Sequence, residues 1–109
     1  MLSKRYRLHK HGSFTFVYKK GEGRSDGPLK LTFVRARGQA KIGISVPNTV
    51  GKAVVRNKVR RRIRAVLYPL TDRIKPAQIV FSARKGAETL TYAQIEQSVY
   101  ALLNRAGLL

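Results

Sequence analysis

The sequence predicts an α+β domain in which one mixed sheet is packed by three helices, and three patterns predict it. Two neighbouring stretches alternate apolar and polar residues with a period of two, one compact apolar run has the length of a buried strand, and three segments repeat their apolar residues at helical spacing. At 109 residues the chain has the size of one domain, so a single unit over residues 1–109 is expected, with room for one small core. Residues of hydrophobic type make up 43% and run the whole length, which predicts a folded globule rather than a disordered basic tail.

Between Ser13 and Lys20, Phe14, Val17 and Tyr18 recur at i, i+3 and i+4, giving a first helix that Gly21 stops. The segment "GEGRSDGP" that follows reads as a turn with at most a small edge strand. Leu29, Leu31 and Phe33 alternate with Lys30 and Thr32 in a half-buried strand, and Ile42, Ile44 and Val46 repeat the pattern, so a hairpin joined around Gly38 is expected. Pro47 ends the second of these strands because it cannot donate to a ladder.

With successive residues 100° apart, Val55, Val59, Ile63, Val66, Leu67 and Leu70 fall within about a third of a helical wheel, the signature of an amphipathic helix that Pro69 closes. "AQIVFSA", Ala77 to Ala83, suits a buried strand, and the preceding helix is a crossover long enough to set it parallel to a neighbour. Ile95, Val99, Leu102 and Leu103 mark a last helix with Thr89 or Thr91 as its cap and Gly107 beyond its end. The resulting order is α-β-β(-β)-α-β-α.

The charge is far from balanced. Lys and Arg number 23 against the carboxylates Glu22, Asp26, Asp72, Glu88 and Glu96, for a formal net charge of +18. Such self-repulsion is tolerated most easily by a chain whose partner is a polyanion, and nucleic acid leads. In "GKAVVRNKVRRRIRAVL" seven cations fall between Lys52 and Arg64 with no acid among them. On the wheel Asn57, Arg61 and Arg64 lie together, flanked by Lys58 and Arg62 on one side and Arg60 on the other, while Arg56 falls beside the apolar stripe. Solvated helical faces usually mix signs to gain pair attraction. A ridge of one sign costs a few tenths of a kcal/mol per i,i+4 pair, about 0.2–0.5, which contact with phosphates reverses, and arginine suits bidentate contact with them.

No catalytic constellation is present. The five acids are scattered, His9 and His11 read as surface residues of a basic N-terminal segment, and "GEGRSDG" lacks the ending of a phosphate loop, so no protein metal site and no protein catalytic residue is expected. The absence of cysteine fits a reducing compartment. No apolar run approaches the roughly 20 residues of a membrane span and "MLSKRYRLHKHG" lacks the apolar centre of a secretory signal, so a cytoplasmic protein is expected. Tyr6, Phe14 and Tyr18 could stack on unpaired bases, although spacing alone favours Phe14 and Tyr18 as core. Phe16 lies off their stripe.

"KAVVRNKVRRRIR", preceded by "IGISVPNTVGKA" and placed between "LHKHGSFTFVYKKG" and the later "IVFSARKGA" and "LTYAQIEQSVYALL", resembles the protein subunit of bacterial ribonuclease P over nearly the full chain. One departure is Lys58, where many members carry arginine. The resemblance implies a left-handed strand-helix-strand crossover, where handedness rules alone predict the right-handed one. It implies catalysis by an RNA subunit that binds Mg²⁺ and removes the 5′ leader of precursor tRNA, with no cofactor held by the protein alone. No membrane and no obligate protein partner are expected.

Carried over by position, the resemblance gives Lys52, Arg56, Asn57, Lys58, Arg60, Arg61 and Arg64 to the RNA subunit. It gives Phe14, Tyr18, Thr32 and Ser45, with Arg56 and Arg60 at the edge, to a cleft for the single-stranded leader. At Thr32 some members carry a larger aromatic. A basic structural protein of the ribosome is the alternative that shares the charge and the fold class.

Overall fold

The structure is a computed structural model that describes residues 6–8 and 11–109; His9, read above as a surface residue, lies outside the described residues. Among them the chain runs α1 (His11–Lys20), β1 (Glu22–Asp26), β2 (Leu29–Arg35), β3 (Lys41–Ser45), α2 (Ala53–Leu67), β4 (Ala77–Ala83) and α3 (Tyr92–Arg105). The strands form one mixed sheet in the order β1-β2-β4-β3. β1 pairs antiparallel with β2, β2 antiparallel with β4, and β3 parallel with β4. The expected parallel partner of Ala77–Ala83 is therefore β3.

The expected hairpin between β2 and β3 does not form, because β4 lies between them. Ile79, Val80 and Phe81 are each fully buried, so this strand is apolar on both faces and takes the central place, where both of its edges are also paired. β1 is a full member of the sheet. Its Gly, Ser and Asp are poor strand formers, but Gly27, at a φ of 59°, turns the chain so that Glu22 through Asp26 pair one for one with Phe33 through Leu29. The Arg24 guanidinium then lies 5.8 Å from the Phe33 ring centroid, and Arg105 of α3 donates to the Ser25 carbonyl at 2.9 Å.

One face of the sheet carries the main core. Leu29, Leu31, Phe33, Ile42, Ile79 and Phe81 meet Val59, Ile63, Val66 and Leu67 of α2 and Ile95, Val99, Leu102 and Leu103 of α3, the stripes the wheel predicts. Val55, the first residue of the α2 stripe, is only half-buried. Thr91 caps α3 with a reciprocal box: its hydroxyl accepts from the Gln94 N–H at 3.2 Å while the Gln94 side chain accepts from the Thr91 N–H at 2.9 Å.

The opposite face is covered by α1 through a smaller cluster of Leu8, Val17 and Val80, with Phe14 packed at its border. Leu8 is anchored by its N–H to the Ile42 carbonyl at 2.9 Å. Beneath α1, Thr32 is 4% exposed and its hydroxyl has no hydrogen-bond partner among the described residues. A buried, unsatisfied hydroxyl costs about 1–3 kcal/mol, so Thr32→Val should stabilise the fold by about 1 kcal/mol. A thermal or urea melt reads this directly, and a lowered midpoint would contradict it.

Candidate nucleic-acid interface

The outward side of α2 carries the charge. Lys52, at the N-cap, and Asn57, Lys58 and Arg61 are exposed, and Arg60 and Arg64 are half-buried. Among the described residues the ion pairs are Arg24 with Glu22 at 3.3 Å and Arg105 with Asp26 at 3.7 Å, both at β1, and no carboxylate pairs with a cation of α2. Desolvation, then the charges of Arg7 and Arg60, lowers the pKa of Arg64 from its ordinary value. Guanidinium stays protonated at neutral pH, so the crowding shows as unrelieved repulsion that an anion would remove.

Arg61 forms the crest of this surface. On one side a hollow is lined by Val54, Asn57, Arg60, Arg61 and Arg64, where a guanidinium N–H of Arg60 donates to the Asn57 side-chain carbonyl. On the other, Lys58, Arg61, Arg62 and Ala65 face Tyr92 of α3. Arg62, placed on the ridge by the wheel, has a structural task instead: it donates to the Leu90 carbonyl at 2.8 Å and ties α2 to the segment entering α3. Arg56 folds back on the turn before its own helix, donating through Nε to the Gly51 carbonyl at 3.1 Å.

A second feature lies on the α1 face of the sheet. Register places Gly43 and Ser45 of β3 beside Val80 and Ser82 of β4, with Thr32 and Lys30 of β2 beyond them. The Phe14 ring rests directly on the Gly43 backbone, where an added Cβ would come within 2.3 Å of it. Tyr18, 48% exposed, hydrogen-bonds through its hydroxyl to Ser82 Oγ at 3.0 Å. Phe14, Tyr18 and Ser45 thus share one open surface, and Ser82 and Lys30 join it.

The sequence-based expectation for Thr32 places it on the cleft wall; in the structure it is on the same face but beneath α1. The link to α2 is made by Arg64, which lines a small hollow with Arg7, Leu8, Phe14, Gly43 and Ile44. Neither Ser82 nor the reach of Arg64 has a sequence signal: the first depends on β4 lying beside β3, the second on how α2 sits against α1 and β3. Tyr6 lies apart, in a hollow with Gly38, Ala40 and Thr71. Val17, rather than Phe14 or Tyr18, supplies the core of α1.

A sequence profile described as Ribonuclease P matches residues 2–107. The chain belongs to the ribonuclease P protein family. The ribonuclease P protein component of Streptococcus pyogenes serotype M5 (strain Manfredo) is 33% identical over 109 residues, 99% of this chain and 92% of that one. Among solved structures, a Staphylococcus aureus RNase P protein mutant with defective mRNA degradation activity superposes with a TM-score of 0.91 at 30% identity, covering 97% of this chain and 92% of that one. The RNase P protein from Thermotoga maritima in complex with 1-(4-fluorophenyl)-2-thiourea gives 0.83 at 25% identity, covering 91% and 98%. As a ribonuclease P protein component this chain is a tRNA-processing subunit of a ribonucleoprotein. No helix among the described residues is long and apolar enough to cross a membrane.

Proposed function

We propose that this chain binds the catalytic RNA of ribonuclease P through the exposed side of α2 and receives the 5′ leader of precursor tRNA on the surface formed by Phe14, Tyr18, Ser45 and Ser82. The observation that carries the reading is the row of α2 cations with no carboxylate partner among the described residues. Neutralising several phosphates there releases counterions and favours binding at low salt. An aromatic ring bordering a cationic helix suits an unpaired strand, whose bases stack while its phosphates meet Arg64 and Arg60.

Mg²⁺ is assigned to the RNA subunit. Among the described residues no three His, Cys, Asp or Glu side chains gather, and the part proposed for the protein is to lower phosphate repulsion where the RNA holds the ion. We place the assembly in the cytoplasm.

Adding the purified chain to its RNA partner at limiting Mg²⁺ should restore cleavage of a leader-bearing precursor, and it should bind that precursor more tightly than mature tRNA. A chain that gives no rescue and holds both tRNAs equally would not be acting as proposed. Gly43→Ala tests the leader surface separately. The added methyl must displace the Phe14 ring, so affinity for the precursor should fall about tenfold, within the ~1–3 kcal/mol of one base stack, while affinity for mature tRNA is unchanged.

A further inference from the structure

The flank of α2 that faces α3 ends in an aromatic side chain used by neither surface above. Tyr92 is 44% exposed although it belongs to a helix whose other large apolar residues are buried or half-buried. It is the first residue of α3, and the Thr91–Gln94 capping box fixes the backbone on which it stands. Opposite it, Lys58, Arg61, Arg62 and Ala65 follow one another at i, i+3, i+4 and i+7, one stripe of α2. Ala65 contributes only a methyl, which leaves a slot beside the ring. Arg62 is held against the Leu90 carbonyl at 2.8 Å, so that wall of the slot is braced.

We propose that this slot is a nucleobase site: an unpaired base of the catalytic RNA stacks on the Tyr92 ring while its flanking phosphates meet Lys58 and Arg61. The proposal rests on the reading of α2 as the RNA-binding helix and adds a point of contact that reads shape rather than charge alone. An apolar floor rimmed by three cations, continuous with the crest at Arg61, matches a planar group carried on an anionic backbone. No carboxylate lines the slot.

The test uses the full chain and transcribed ribonuclease P RNA. Tyr92→Ala should weaken binding about 5- to 150-fold, the range of one base-aromatic stack, with the slope of affinity against salt unchanged, because no phosphate contact is lost. Tyr92→Phe should bind within about twofold of the parent, since the ring carries the stack. The chain has no tryptophan, so Tyr92→Trp provides a single reporter whose emission should be quenched as the RNA is added. A thermal melt of Y92A like that of the parent would show that the loss is not one of folding.

Parent-like affinity of Y92A together with unquenched emission of Y92W would overturn the slot. If Arg61→Ala still weakened binding in the same assay, the α2 interface would stand without it; if neither change mattered, the interface itself would fall. Should Y92A instead break up a dimer of the RNA-free chain in sedimentation, the slot would belong to a second copy of this protein.

Discussion

Removing three guanidinium groups at once, in an R60A/R61A/R64A chain, is expected to weaken binding to ribonuclease P RNA on the order of a thousandfold, from about 1.5 kcal/mol for each charge-assisted hydrogen bond lost. All three line one hollow on the exposed side of α2. The slope of log affinity against log salt should shrink by about one for each phosphate contact removed. The fold should not suffer. Arg60 and Arg64 repel each other one turn apart, and their mutual charge contributes to the lowered pKa of Arg64, so discharging the ridge relieves strain worth about 0.2–0.5 kcal/mol. The thermal midpoint of the triple variant should match the parent or exceed it. Binding isotherms across a series of KCl concentrations, paired with a melt, check both halves, and a parent-like salt slope would place the RNA elsewhere.

The opposite side of the same helix should behave in reverse. Ile63, fully buried between the sheet and α3, is expected to cost roughly 2–5 kcal/mol when cut back to alanine, through lost burial and the cavity left behind. Small domains rarely hold more than about 5–15 kcal/mol in total. A chain carrying +18 has self-repulsion to overcome as well, so I63A should melt far below the parent while its folded fraction still binds RNA. Urea unfolding with and without saturating RNA separates the two effects: RNA should raise the lowered midpoint, because it binds the folded form more tightly than the unfolded chain. Equal loss of stability in I63A and in the triple arginine variant would mean that the two sides of α2 had been exchanged.

Those two sides are legible in the sequence, because a helix buries its apolar residues at 3.6-residue spacing and α2 and α3 obey it closely. Val59, Ile63, Val66 and Leu67 of the first, and Ile95, Val99, Leu102 and Leu103 of the second, are all buried. The targets of two side chains on α2 have no such signal. Arg62 sits on the polar side of the wheel, yet its target, the Leu90 carbonyl, is 28 residues away and unknowable from spacing. Arg56 lies beside the apolar stripe as the wheel says, but turns to the Gly51 carbonyl.

The sheet is less legible in the sequence, for a different reason. Strands adjacent in sequence usually pair, which favoured a β2–β3 hairpin, whereas burial of both faces of β4 demanded neighbours on both sides. Family resemblance pointed to Phe14, Tyr18, Thr32 and Ser45 with Arg56 and Arg60 at the edge; topology brings Phe14, Tyr18 and Ser45 to one open surface, buries Thr32 beneath α1 and turns Arg56 to the Gly51 carbonyl. Ser82 and Tyr92 become visible only once strand order and helix packing bring them beside the others, since a lone serine or tyrosine carries no periodic signal.

The insertion of β4 also governs the order in which the molecule can be made. During synthesis α1, β1, β2 and β3 emerge before the cationic helix, and the central strand that joins β2 to β3 comes only from residues 77–83. Until that segment leaves the ribosome, both earlier strands keep a bare edge and α2 has no completed sheet to cover. Pairing across such sequence distances is slow, and the half-made intermediate is sticky. The nascent chain therefore passes through a stage in which its polycationic arm is exposed to ribosomal RNA before its own interior has closed.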